Sequence, residues 1–149
     1  MFGGLSRQLF NDISYIRELP FANSGEDQRF KWFDVNYNDN DVVPYERFGH
    51  IAAQFDKDII IFGGARMYNK SSKVRECLGD IAIFHTDTLL WEEVKASPGT
   101  IIYQRHNHVG CIIGQHLLIH GGINEQNLYY DDIILTNLSA VYKTNQLTN

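Results

Sequence analysis

Apolar residues along this chain come in short runs, each closed by a turn signal and each reappearing further on. The plainest run is Asp58-Ile59-Ile60-Ile61-Phe62-Gly63-Gly64. A few apolar residues bounded by a turn signal read as a buried β-strand. His116-Leu117-Leu118-Ile119-His120-Gly121-Gly122 has the same shape, and Met1-Phe2-Gly3-Gly4 matches its tail. The paired glycines mark places that a side chain would obstruct. No segment has a helical period, so every predicted element is a strand.

The runs belong to a larger repeat. Residues 47–64 align with 105–122 without a gap: Arg47 falls on Arg105, His50 on His108, and Gly63-Gly64 on Gly121-Gly122. Each segment reads as strand, two-residue turn, strand, with Asp56-Lys57 and Gly114-Gln115 at the turns. Two-residue turns make tight hairpins, so Ile113 is expected opposite His116 and Val109 opposite His120. A polar loop is expected after each glycine pair, from 65 to about 78 and from 123 to about 130. An acidic residue then opens a third strand, at Asp12, Asp80 and Asp132. A fourth strand carries tryptophan, Trp91 in the middle unit and Trp32 in the first. Residues 19–28 read as a polar insertion in an exposed loop.

An apolar Gly-Gly strand, an acidic residue before the next strand and a spaced Trp, in that order, resemble the kelch repeat. The resemblance covers most of the chain. It implies an all-β fold: a partial kelch-type β-propeller of four-stranded antiparallel blades, forming a single segment over 1–149. The blades fall at about 1–38 (partial), about 44–95 and about 102–149, the last without a Trp and with Tyr142 as the nearest candidate. Asn107 stands where the middle unit has Gly49. On this reading Gly3, Gly4, Gly63, Gly64, Gly121 and Gly122 are architectural, packed beneath an aromatic such as Trp91. Trp32, Arg47, His50, Arg105 and His108 are blade-packing residues, and Asp12, Asp80 and Asp132 cap turns or backbone.

A ring of this kind holds about four to eight blades, and this chain supplies two and a half to three. Three arrangements would cover the open flanks: a longer propeller of which this is a part, self-association to complete the ring, or an open arc capped by a partner.

Composition narrows the function classes. With 44% hydrophobic and 21% charged residues, the chain is of the globular class. The net charge of −5 and the lack of a basic stripe argue against nucleic acid. No apolar run is long enough to cross a bilayer as a helix, so no membrane partner is expected. The two cysteines, Cys77 and Cys111, are too few for a disulfide framework and suit a reducing, cytoplasmic setting.

Six histidines raise the question of a metal. Side chains alternate along a strand, so His106 and His108 are expected on one face and His116 and His120 on the other. No metal site, cofactor or catalytic residue is expected. Cys77 lies in the predicted polar loop with no partner at a telling spacing, and Cys111 is expected in the core. Glu92/Glu93 and Asp131/Asp132 are adjacent in sequence and face opposite ways on a strand.

The candidate binding residues lie just beyond the glycines. Resemblance to kelch propellers puts these loops on one rim, where Arg7, Arg66, Tyr68, Arg75 and Asn124 would meet an acidic peptide segment of another protein. The expected function is a protein-interaction module, a substrate-recognition or assembly subunit, and not an enzyme. The alternatives are a fragment of a propeller enzyme and a structural subunit whose ring another chain completes.

Overall fold

The structure, a computed structural model, describes residues 2–5, 9–18, 30–36, 41–69, 74–94 and 103–139. The insertion at 19–28 and Tyr142 lie outside these residues. The strands make three antiparallel sheets, each a meander. The first has β1 (Phe2–Leu5), β2 (Leu9–Glu18) and β3 (Phe30–Asp34). The second has β4 (Ile51–Phe55), β5 (Asp58–Asn69), β6 (Val74–His85) and β7 (Leu90–Val94). The third has β8 (Val109–Ile113), β9 (His116–His120) and β10 (Ile133–Asn137).

The hairpin registers follow the turns. Ile113 pairs with His116 and Val109 with His120, as the two-residue turn requires. Phe55 pairs with Asp58 across Asp56-Lys57. In both turns the first residue has a positive φ, 54° at Asp56 and 57° at Gly114. A short polar side chain such as Asp56 tolerates that conformation, which explains a tight turn without glycine.

The centre of the middle sheet is buried on both faces, which is why β5 is continuously apolar rather than alternating. Ile60 and Phe62 face one way, beside their cross-strand partners Ile83 and Ile81. They form a cluster with Ile51 of β4, Leu117 and Ile119 of β9, and Leu138. Ile61 faces the other way beside Ala82, and joins Phe84, Trp91 and Val35 in a second cluster. The middle sheet is therefore packed between the third sheet and the chain leaving the first. Burying one such aliphatic side chain contributes about 1.5–3 kcal/mol, so these seams are the main source of cohesion.

One expected loop is a strand. β5 does not stop at Gly63-Gly64 but continues to Asn69, and β6 starts at Val74. The register shifts between Phe62 and Gly64, a bulge that re-aims the chain without ending the ladder. Beyond it Ala65 pairs with Cys77, Arg66 with Glu76 and Met67 with Arg75. The arms at 65–69 and 74–78 continue the β5–β6 ladder past the ends of β4 and β7 as a projecting hairpin.

Gly63, Gly64, Gly121 and Gly122 are not packed beneath Trp91, which instead lies against Phe84 with ring centroids 5.1 Å apart. A Cβ on Gly64 would stand 2.9 Å from the His50 Cβ and 2.9 Å from the Phe48 carbonyl oxygen. Gly122 repeats the arrangement, with the His108 Cβ at 2.9 Å. The neighbour that excludes a side chain is thus the histidine at the same position of each repeat. Trp32 also departs from its middle-unit counterpart: it is 56% exposed on the terminal strand β3, whereas Trp91 is 7% exposed. Cys111 is exposed rather than in the core, because β8 turns Ile112 inward and Val109, Cys111 and Ile113 outward.

Candidate functional site

Two identical polar clamps lie where the repeats meet their glycines. The Arg47 side chain is fully buried, and its two terminal nitrogens donate to the Asp80 carboxylate at 2.8 and 2.7 Å. The same guanidinium donates to the Gly63 carbonyl oxygen at 3.0 Å and the Tyr45 carbonyl oxygen at 3.0 Å. Arg105 repeats every contact, with Asp132 at 2.6 and 3.0 Å, Gly121 at 2.9 Å and Tyr103 at 3.3 Å. The planar fork of arginine matches a carboxylate with two parallel bonds. Asp80 and Asp132 therefore neutralise buried arginines. The Asp12 side chain lies outside the described set, and Gly3 and Gly4 are placed by backbone alone in β1.

His50 and His108 sit beside these clamps. Burial, with Arg47 nearby, pushes His50 down to about 4. Burial and Arg105 do the same to His108, which also falls to about 4. The His108 ring lies edge-on to Phe62 with centroids 5.2 Å apart. Both imidazoles are neutral packing groups at neutral pH. Asn107, with a φ of 55°, interrupts the strand alternation between His106 and His108. His106 and His108 are buried, His116 is half-buried and His120 is exposed. Among the described residues no three His, Cys, Asp or Glu side chains converge to hold a metal.

Cys77 has a partner that the spacing did not reveal. It is fully buried in β6, with its Sγ 3.3 Å from His106 Nδ1. The Cys77 amide donates to Glu125 Oε1 at 3.0 Å. Burial, helped by the Glu125 carboxylate, pushes the Cys77 thiol up to about 11. Burial likewise lowers His106, so it is a weak base. A thiol held protonated and shut away from solvent is not a nucleophile. The pair ties the projecting hairpin to the segment that leads into β8.

The rim candidates separate into occupied and open residues. Arg7 lies outside the described residues, and Tyr68 is placed in β5 by backbone alone. Arg66 donates to Glu76 at 2.7 Å and lies over the Tyr45 ring at 3.7 Å. Asn124 Oδ1 accepts from the Gln126 and Leu128 amides, which closes its own turn. Arg75 is exposed on the projecting hairpin. A cavity of about 560 Å³ opens between residues 41–45 and β7, and its mouth carries Asp41, Asp80, Glu92 and Glu93. The lining has no basic side chain, so the cavity is not the site expected for an acidic segment.

The third sheet exposes an apolar face. Val109 is 64%, Ile113 58%, Ile133 66% and Leu135 59% exposed. In the repeat alignment they occupy the positions of Ile51, Phe55, Ile81 and Ile83, which in the middle sheet are covered by the third.

The family described as "KLHDC2/KLHL20/DRC7 Kelch-repeats domain" matches residues 1–146. This chain belongs to the kelch-repeat family. A probable serine/threonine-protein kinase of Dictyostelium discoideum is 31% identical over 123 residues, 82% of this chain and 8% of that protein. Kelch domain-containing protein 3 of Homo sapiens is 29% identical over 57% of this chain and 20% of its own length. The Rab9 effector protein with kelch motifs of Danio rerio is 27% identical over 88% of this chain and 35% of its own. The chain thus spans a small part of these kelch relatives. In the kinase the match covers too little of that protein to carry its activity across. The structure of YjhT superposes with a TM-score of 0.50 at 18% identity, over 68% of this chain and 27% of that one. That likeness concerns the fold, an all-β kelch-type propeller. No helix among the described residues is long and apolar enough to cross a membrane.

Proposed function

We propose that this kelch segment is a protein-interaction module without catalysis of its own, acting as a substrate-recognition or assembly subunit. The observation that carries the reading is the apolar face of Val109, Ile113, Ile133 and Leu135. The equivalent face of the middle sheet is covered by a kelch-type sheet, so the same kind of surface fits here: a further blade, of which a second copy of the chain is one source. An exposed apolar patch of this type marks an association surface. The unpaired Cys77 and Cys111 support a reducing, cytoplasmic setting.

The rim is the second contact. Among the described residues Arg75 is its exposed arginine, and it supports recognition of an acidic peptide more directly than Arg66, which already holds Glu76.

Light scattering on a size-exclusion column tests the first contact. The expected mass exceeds the 17.2 kDa monomer and rises with concentration. The double variant Ile133→Asp/Leu135→Asp is expected to run as a monomer. A wild-type monomer at every concentration would overturn association between copies. For the rim, a fluorescent glutamate-rich peptide is titrated into wild type and Arg75→Glu; equal binding by both removes Arg75 from the reading.

A further inference from the structure

We propose that His85 is a proton-operated clamp that holds the outer strand β7 onto the middle sheet and lets it loosen as pH rises. His85 ends β6, between the strands that carry its two partners. Its Nδ1 lies 3.0 Å from Asp58 Oδ2 on β5, and its Nε2 lies 2.9 Å from Glu92 Oε2 on β7. Ionised carboxylates only accept hydrogen bonds, and a neutral imidazole has a single N–H. Both contacts are satisfied together only when each ring nitrogen carries a proton. The geometry is that of an imidazolium spanning three strands.

The surroundings make this proton consequential. Asp58 is 4% exposed, and a buried carboxylate that loses a donor is destabilised. His85 itself is partly exposed, so protons exchange with solvent. The other charged groups nearby are Lys57 and Asp87, which pair across the two adjacent turns, and Asp56. Lys57 and Asp87 offset each other and leave Asp56, an acid like the two partners, so Asp58 and Glu92 set the field at the ring. Burial pushes His85 down, but the bonds to Glu92 and Asp58 outweigh it and its affinity for the proton is raised.

Among the described residues strand β7 pairs with β6 alone, and it carries Trp91. Trp91 packs in the cluster that includes Val35, the contact with the chain leaving the first sheet. A loosened β7 therefore loosens the seam between the first and middle sheets. The sign follows from the raised affinity. The clamp is complete below the ordinary histidine value of 6.5, and it is lost as pH rises through the higher folded-state value.

The test is amide hydrogen exchange of β7 from acid to alkaline pH, corrected for intrinsic rates, together with ¹⁵N shifts of the His85 ring. In wild type, β7 protection is expected to fall several-fold as the ring loses its proton, while β5 holds. In His85→Gln the β7 protection is expected to be low and flat across pH. Glu92→Gln keeps an acceptor but removes one charge, and is expected to move the ring titration to lower pH. A neutral ring at pH 6, an unchanged titration in Glu92→Gln, or the same pH response in His85→Gln would each overturn the clamp.

Discussion

Replacing Asp80 by Asn tests whether the buried clamps hold the repeats to their glycines. The substitution keeps the shape and removes the charge. Arg47 is then left 0% exposed without a counter-ion, while its bonds to Gly63 and Tyr45 hold it in place. Removing one partner of a buried pair costs about 3–5 kcal/mol. The Asp80 side chain is 24% exposed, which lets water approach, so the lower end of about 3 kcal/mol applies. Arg47→Met retains most of the buried stem and strands a carboxylate that reaches water, together with the Gly63 carbonyl, at about 2 kcal/mol. If the two residues act as a unit, the double variant costs about 3 kcal/mol rather than the sum, a coupling of about 2 kcal/mol. The assay is urea unfolding followed by tryptophan fluorescence, with the midpoint shift read at constant slope. The second clamp supplies an internal comparison: Asp132 is 39% exposed, so its coupling to Arg105 is expected to be smaller. A coupling below about 0.5 kcal/mol, the range of surface pairs, would refute the reasoning. So would a stronger coupling at 105–132 than at 47–80.

Gly64→Ala is expected to cost about 3 kcal/mol or more, since it adds a clash to backbone strain. Gly114→Ala, with a φ of 57° and nothing within 4 Å of the new Cβ, costs about 1–2 kcal/mol; equal costs in thermal melts would contradict the packing described at Gly64. Iodoacetamide at mildly alkaline pH is expected to label Cys111 quickly and Cys77 only after denaturation, as read by peptide mass mapping; early labelling of Cys77 would contradict its burial. His50 and His108 have folded values near 4 against 6.5 unfolded, so the unfolded chain binds more protons between those limits. Melting temperature is therefore expected to fall as pH drops below 6.5, with ring resonances that titrate near 4; a flat profile over that window would show the imidazoles are not buried neutral.

Much of the fold was legible because tight turns and glycine pairs are local signals. Gly114-Gln115 sets the β8–β9 register, and the gapless alignment of Arg47 with Arg105 anticipated that both make the same contacts. What stayed hidden depends on residues distant in the chain. Cys77 meets His106 on the next repeat, and Asp80 meets an arginine from before β4. The strand arms at 65–69 and 74–78 read as a loop in sequence because their residues are polar, and no local signal shows that a bulge lets β5 continue past its glycines. Among the binding candidates, no local signal shows that Arg66 is already held by Glu76 and Tyr45, or that Asn124 closes its own turn.

The two-sided burial of β5 has a consequence for how the chain finds its alignment. A strand with one wet face cannot slip by a residue without exposing its apolar side. In Ile59-Ile60-Ile61-Phe62 a one-residue slip merely exchanges which isoleucines meet which neighbour, and hydrophobicity changes little. The information that forbids the slip must be polar: the Asp56-Lys57 turn at one end and the Arg47 fork on Gly63 and Asp80 at the other. These groups act as locating pins for an otherwise self-similar strand. Weakening them should produce misaligned sheets before it produces unfolded ones.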